Sequence, residues 1–231
     1  MTRTTPLLQT GDPHPHFCDP MASTLPELFG LMVEQCHLTE GMAVLLESYL
    51  RFEDPTLVER MQRLENQGVQ LRERNVERVK EETAVLPDRG SLLQACFLAE
   101  AVQGSLMGIV LDMDALGIRG VWPILEMVAQ LRHAIEMLRS GHEKLLHTPA
   151  GIGVEMSAIL AARKAMERSY HCALERQLVE ERSALQRHNP ENLQRILQLF
   201  RHREIYRRIR DVGIEIANCG RVLQDIVYQF A

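Results

Sequence analysis

Glu167 and His171 stand one helical turn apart with Cys172 beside them, a spacing at which a carboxylate and an imidazole could share one metal ion. On a long helix such a lone pair more often forms an exposed hydrogen bond. His14, His16 and Cys18 put three soft ligands within five residues. The prolines around them keep that run extended, and it fits adventitious binding or plain disorder. Arg201, Arg203, Arg207 and Arg208 crowd around Glu204. That run suits an acidic partner loop, an anionic membrane surface or phosphate, and equally a solvated helix face. The sequence has no Gly-rich phosphate loop, nucleophile elbow or HExxH, so nothing nominates an enzyme.

The bulk properties bound these readings. The chain has 231 residues, 45% apolar and 25% charged, enough for one large domain or two small ones with a substantial core. A formal net charge of -5 argues against a nucleic-acid binder driven by basicity. No stretch approaches about 18 uninterrupted apolar residues, the length a membrane span needs. The five cysteines are odd in number and far apart, which fits free thiols in a reducing, cytoplasmic compartment.

Helical period dominates from Leu25 onward, and the alternation expected of strands is absent. Residues 1–23 are read as a flexible arm, with four prolines and no periodicity. Breaks at "RFEDPT", "VLPDRGS", "GIRGVWP", "HTPAGIG" and "RHNPEN" divide the rest into six helices, roughly 25–51, 55–84, 89–116, 121–146, 153–187 and 190–229. Asp54 and Asn189 are placed as N-caps, each with a proline following at the first helical position. "NVERVKEE" (Asn75–Glu82) matches "ALERQLVE" (Ala173–Glu180) at an offset of 98. The expectation is an all-α domain over 24–231, built from two antiparallel three-helix halves at about 24–118 and 119–231.

Heptad seams support long near-parallel helices. The last helix carries Ile205, Ile209, Val212, Ile216, Cys219, Leu223 and Ile226; the fourth carries Val121, Leu125, Val128, Leu131, Ile135 and Leu138, with His142 where an apolar residue is due. The second helix departs most, running Leu57, Met61, Leu64, Gly68, Leu71, Asn75. A glycine costs a helix about 0.5–1 kcal/mol against alanine. Close approach of another backbone is the expected compensation at Gly68, Gly104, Gly213 and Gly220.

The stretch "REIYRRIRDVGIEIANCGRVLQDIV" is similar to the last helix of the PhoU-like phosphate transport regulators, through Glu204, Ile205, Tyr206, Ala217, Val222, Leu223, Ile226 and Val227. "LPDRGSLL" keeps Pro87, Asp88 and Arg89 of a second motif, and "LPELFGLMVEQC" and "MQRLENQG" resemble two more. Their order resembles the branch found beside Pit-type inorganic phosphate transporters. The resemblance implies tandem three-helix bundles, metal clusters held by paired acids on helix surfaces, and a regulatory, non-enzymatic role. The paired-acid chemistry is sound in itself, since carboxylates at i and i+4 share a helix face and supply hard oxygen ligands.

By the same resemblance the metal candidates are Glu65, Glu100, Glu167 and Asp211, for a divalent or ferric ion; no other cofactor is assigned. The signatures are reduced: Val69 follows Glu65, Gly104 follows Glu100, Arg163 replaces the acid before Glu167, and Ile214 and Asn218 take further positions near Asp211. Arg163 is expected to supply the charge of a missing metal ion by pairing with an acid, or to reach solvent along its stem. The expected partner is a Pit-type transporter, contacted through a helix face, with a homodimer allowed, no nucleic acid, and at most peripheral membrane association. A metal- or anion-binding helical module and a helical scaffold without a transport link are the alternative readings.

Overall fold

The computed structural model describes residues 20–81, 89–120, 122–147, 151–185 and 190–230. Every regular element among them is a helix: α1 (Pro20–Phe52), α2 (Thr56–Glu81), α3 (Arg89–Leu116), α4 (Trp122–Leu145), α5 (Gly153–Leu185) and α6 (Pro190–Phe230). α1 begins within the segment read as an arm; the His14/His16/Cys18 run and Asn189 lie outside the described residues.

Local chemistry sets the boundaries. Asp54 accepts a hydrogen bond from the Thr56 amide at 2.9 Å, the N-cap expected before Pro55. α1 ends on Glu53, whose φ of 51° lets its amide reach the Tyr49 carbonyl at 2.8 Å, a single αL cap. α3 ends on Gly117, at φ 63°. There the Gly117 amide bonds the Asp114 carbonyl and the Ile118 amide the Met113 carbonyl, with Ile118 and Met113 both buried. This is a Schellman motif with its apolar contact.

The helices pack as two triads. α1, α2 and α3 contact one another, as do α4, α5 and α6, and the triads meet through α1 against α4 and α3 against α6. Residues on the expected seams supply the core: Ile205, Ile209, Val212, Ile216, Cys219, Leu223 and Ile226 are all buried, as are Val128, Leu131, Ile135 and Leu138. α3 is long and apolar enough to cross a membrane by length and composition, with 44% of that window buried. Here its apolar faces pack against α1, α2 and α6.

Ion pairs run antiparallel along the rim between α1 and α4. Glu40 pairs with Arg139 at 2.5 Å and Glu47 with Arg132 at 2.7 Å. Both acids and both bases are seven residues apart, the spacing that flanks a heptad seam.

The glycines have a different explanation from the one expected. A Cβ at Gly68 would lie 1.8 Å from Gln103 Oε1, at Gly213 2.6 Å from the Met166 methyl, and at Gly220 3.2 Å from the Met156 methyl. Side chains from neighbouring helices, rather than backbones, fill these notches. Gly104 has only Glu65 Oε1 nearby, at 3.8 Å, an ordinary contact.

One ion pair sits where α4 turns into α5. Glu155, in the first turn of α5, is buried, which by itself raises its carboxyl pKa. The Lys144 ammonium at 2.7 Å, with a weaker Ser140 hydroxyl bond at 3.3 Å, outweighs this and holds it below the usual range. A depressed folded pKa contributes stability that is fully present above the unfolded value and disappears as pH falls through the folded one. Lys144→Met should therefore destabilise the protein more at neutral pH than at about pH 3, below the ordinary glutamate value of about 4.3. Urea denaturation at both values checks this.

Candidate functional site

The acids expected to hold metal divide between two clefts, one in each triad. Between α2 and α3, Glu65 faces Gly104 and takes a hydrogen bond from Gln62 Nε2 at 2.7 Å. Glu100 lies one turn earlier on α3 and is gripped by Arg72: Nε donates to Oε2 at 2.8 Å and Nη2 to Oε1 at 3.3 Å. The same guanidinium stands 5.6 Å from the centre of the Phe97 ring.

In the second cleft the pair lies within one helix, between neighbours on α6. Between α5 and α6, Arg210 donates to Asp211 Oδ1 from Nε and Nη2, at 3.0 and 2.6 Å, and lies 4.6 Å over the Tyr170 ring. The Asp211 carboxylate raises the Arg210 pKa, with Tyr170 and Glu167 adding to the effect. Glu167 itself faces His171 across an exposed 3.7 Å contact, and Cys172 is exposed. The Arg72–Glu100 pair is bidentate and uses both carboxylate oxygens, whereas Arg210 engages Oδ1 of Asp211 alone; an aromatic face lies near each guanidinium.

These arrangements do not fit a metal cluster. Glu100 already spends both oxygens on Arg72, and Asp211 is held by Arg210. Among the described residues no three His, Cys, Asp or Glu side chains converge in a geometry that could hold a metal ion. An arginine in place of an ion is the expected idea carried by other residues. Arg163 makes no hydrogen bond or ion pair among the described residues; Arg72 and Arg210 sit on the acids. The legible signal was spacing: Arg72 follows Glu65 by seven residues, two turns along one stripe of α2. Arg72→Ala should cost about 1–2 kcal/mol, and adding Glu100→Ala should cost little more. A double-mutant cycle by urea denaturation measures that coupling.

Beneath the first cleft lies a buried polar network that sequence periodicity marked only as irregular positions. Gln35 donates to the Cys96 carbonyl at 3.0 Å, Asn75 to Gln35 Oε1 at 3.0 Å, and Gln103 to Thr39 Oγ1 at 2.9 Å. Thr39 in turn donates to the Gln35 carbonyl at 2.9 Å. The network ties α1, α2 and α3 together and fixes their register, a role attested for buried amides in helical seams.

Thiols line the junction of the triads. Cys36 Sγ lies 3.5 Å from His142 Nδ1, which also lies 2.9 Å from the Leu138 carbonyl. The carbonyl can only accept, so Nδ1–H donates to it. Burial raises the Cys36 thiol pKa strongly, pushes Cys219 up to about 12 and Cys96 to about 11, and lowers that of His142. These are inert apolar packers rather than nucleophiles.

A groove of about 850 Å³ runs between α4 and α5, lined by Ala129, Ala158, Ala162 and Ala165 and by Trp122, which is 70% exposed.

No family model matches the sequence, and neither does any curated protein. Among solved structures the chain is similar to PhoU from Pseudomonas aeruginosa, with a TM-score of 0.63 over 90% of this chain and 99% of that one, at 12% identity. The fold is PhoU-like. The likeness covers nearly the whole of the PhoU chain, both triads included, so the architecture is shared throughout and not through one bundle alone.

Proposed function

We propose that this chain is a non-enzymatic, cytoplasmic regulator of inorganic phosphate transport that acts by docking a Pit-type transporter. The observation that carries the reading is the PhoU-like architecture over 90% of the chain; the four helical motifs that resemble the Pit-accessory branch support the finer assignment. In this reading Arg72 closes the first cleft on Glu100, Arg210 neutralises Asp211 in the second, and regulation proceeds by protein contact without a metal cluster.

The contact surface is the groove between α4 and α5. Its alanine lining admits close approach, and Trp122 offers a large exposed apolar side chain of the kind that dominates binding energy at interfaces. Arg51, Glu126, His133 and Arg168 stand at its margin as a polar rim. The occupant is a cytoplasmic segment of the transporter.

The test is phosphate uptake together with co-purification. Cells expressing the chain with a Pit-type transporter should change their phosphate uptake rate, and tagged chain should retain the transporter in detergent extract. Ala161→Glu, on the exposed edge of the groove, should weaken retention while leaving thermal stability unchanged. Unaltered uptake with no co-purification refutes the proposal.

A further inference from the structure

The α3–α4 connection and the outer part of α6 enclose a pocket of about 200 Å³ at the junction of the triads. Leu116, Gly117 and Ile118 line it on the apolar side, and the permanently charged side chains in its lining are both arginines. Arg119 reaches it from the connection, and Gln198, Arg201 and His202 reach it from α6. Arg201 is exposed and makes no hydrogen bond or ion pair among the described residues, unlike Arg207 and Arg208 farther along the helix, which pair with Glu204 and Asp112. Arg119 meets only Glu53, at 3.5 Å and with both side chains largely exposed, a contact worth little in water. Two guanidinium groups from positions 119 and 201 thus border one concavity with most of their donors unspent.

Size narrows the ligand. The pocket is smaller than the roughly 300–1,000 Å³ of sites that enclose drug-sized molecules, so it suits a small oxyanion better than a nucleotide. Hydrogen bonding narrows it further. His202 Nδ1 lies 2.7 Å from the Gln198 carbonyl and must donate to it. This leaves Nε2 as the ring's remaining polar atom, and in the neutral imidazole that atom accepts a hydrogen bond. A ligand satisfying the whole set carries anionic oxygens for two arginines and a hydroxyl for the imidazole.

We propose that this pocket binds hydrogen phosphate, with Arg119 and Arg201 donating to its anionic oxygens and its hydroxyl donating to His202 Nε2. Sulfate offers the same tetrahedron and charge but no hydroxyl, and a phosphate monoester is largely without one at neutral pH. Because the pocket bridges the connection between the triads and α6, occupancy adds a cross-link between them and stabilises the folded chain in proportion to ligand binding. The assignment stands independently of the transporter reading: it concerns the isolated protein and needs no partner.

The experiment is calorimetric titration of the purified full-length chain with orthophosphate, sulfate and phosphoserine, at constant ionic strength, with thermal unfolding in parallel. Saturable orthophosphate binding is expected, with sulfate and phosphoserine several-fold weaker. Arg201→Gln and Arg119→Gln should each weaken orthophosphate about tenfold, the loss of one charge-assisted hydrogen bond, with little change in unfolding temperature in phosphate-free buffer. His202→Phe should abolish the preference for orthophosphate over sulfate. Equal response to all three anions, no saturable heat, or undiminished binding by Arg201→Gln overturns the proposal. Binding of vesicles containing phosphatidic acid that exceeds binding of free orthophosphate would overturn it in favour of a lipid headgroup.

Discussion

Gly120→Ala should lower stability by about 2–3 kcal/mol, seen as a fall in the urea midpoint with an unchanged slope. A Cβ at this position would lie 2.3 Å from the Leu50 carbonyl oxygen and 3.1 Å from its carbonyl carbon. These are backbone atoms near the end of α1 and cannot swing aside as a side-chain tip can. Relief requires the connection between α3 and α4 to lift off α1, which loosens the α1–α4 packing that joins the triads. Gly117→Ala is the contrasting control. Gly117 has a positive φ but nothing within 4 Å of a Cβ, so only the left-handed conformation is penalised, by about 1–2 kcal/mol. An unchanged midpoint would mean that the connection yields without loosening the α1–α4 packing.

The second large effect comes from repairing an apparent fault. Leucine at position 68 would restore the apolar seam of α2 and improve its helix propensity by about 1 kcal/mol. Gly68→Leu should nonetheless destabilise by about 3 kcal/mol. The Gln103 amide occupies the notch, its Oε1 1.8 Å from where a Cβ would stand. Its nitrogen is held by Thr39 Oγ1 at 2.9 Å and the Gln35 carbonyl at 3.3 Å. Gln103 is fully buried, so the displaced amide has no water to turn to. Gly68→Ala alone should already be destabilising. Combined with Gln103→Ala it should recover, giving a favourable coupling of about 1 kcal/mol or more in the cycle. Additive single and double variants would show that the amide does not need the notch.

These two positions show what was legible in the sequence. Helix number, order and most boundaries followed from proline and N-cap chemistry at Asp54–Pro55 and from heptad seams such as Ile205 to Ile226, because both signals are local. Gly68 was visible as an exception. Its partner was not, because Gln103 lies on another helix and periodicity carries no information about what faces a gap. The same limit applied at the acids. The resemblance singled out Glu65 and Glu100 on α2 and α3, yet the neighbour that neutralises Glu100 is Arg72 on the opposing helix. A cation supplied across a cleft leaves no signature at i+4. Arg163 was the arginine that register within one helix singled out; it pairs with no acid among the described residues and is partly exposed, which leaves its other reading, a stem reaching toward solvent.

The meeting of the triads has a further consequence. α1 packs on α4 and α3 on α6, and under the repeat offset of 98 residues each of these helices meets its own counterpart. Like against like, in antiparallel pairs, is the arrangement of an isologous dimer about a two-fold axis. The chain is thus a dimer interface closed within one polypeptide. The face that joins the triads is occupied within the chain itself, as a two-fold partner would occupy it.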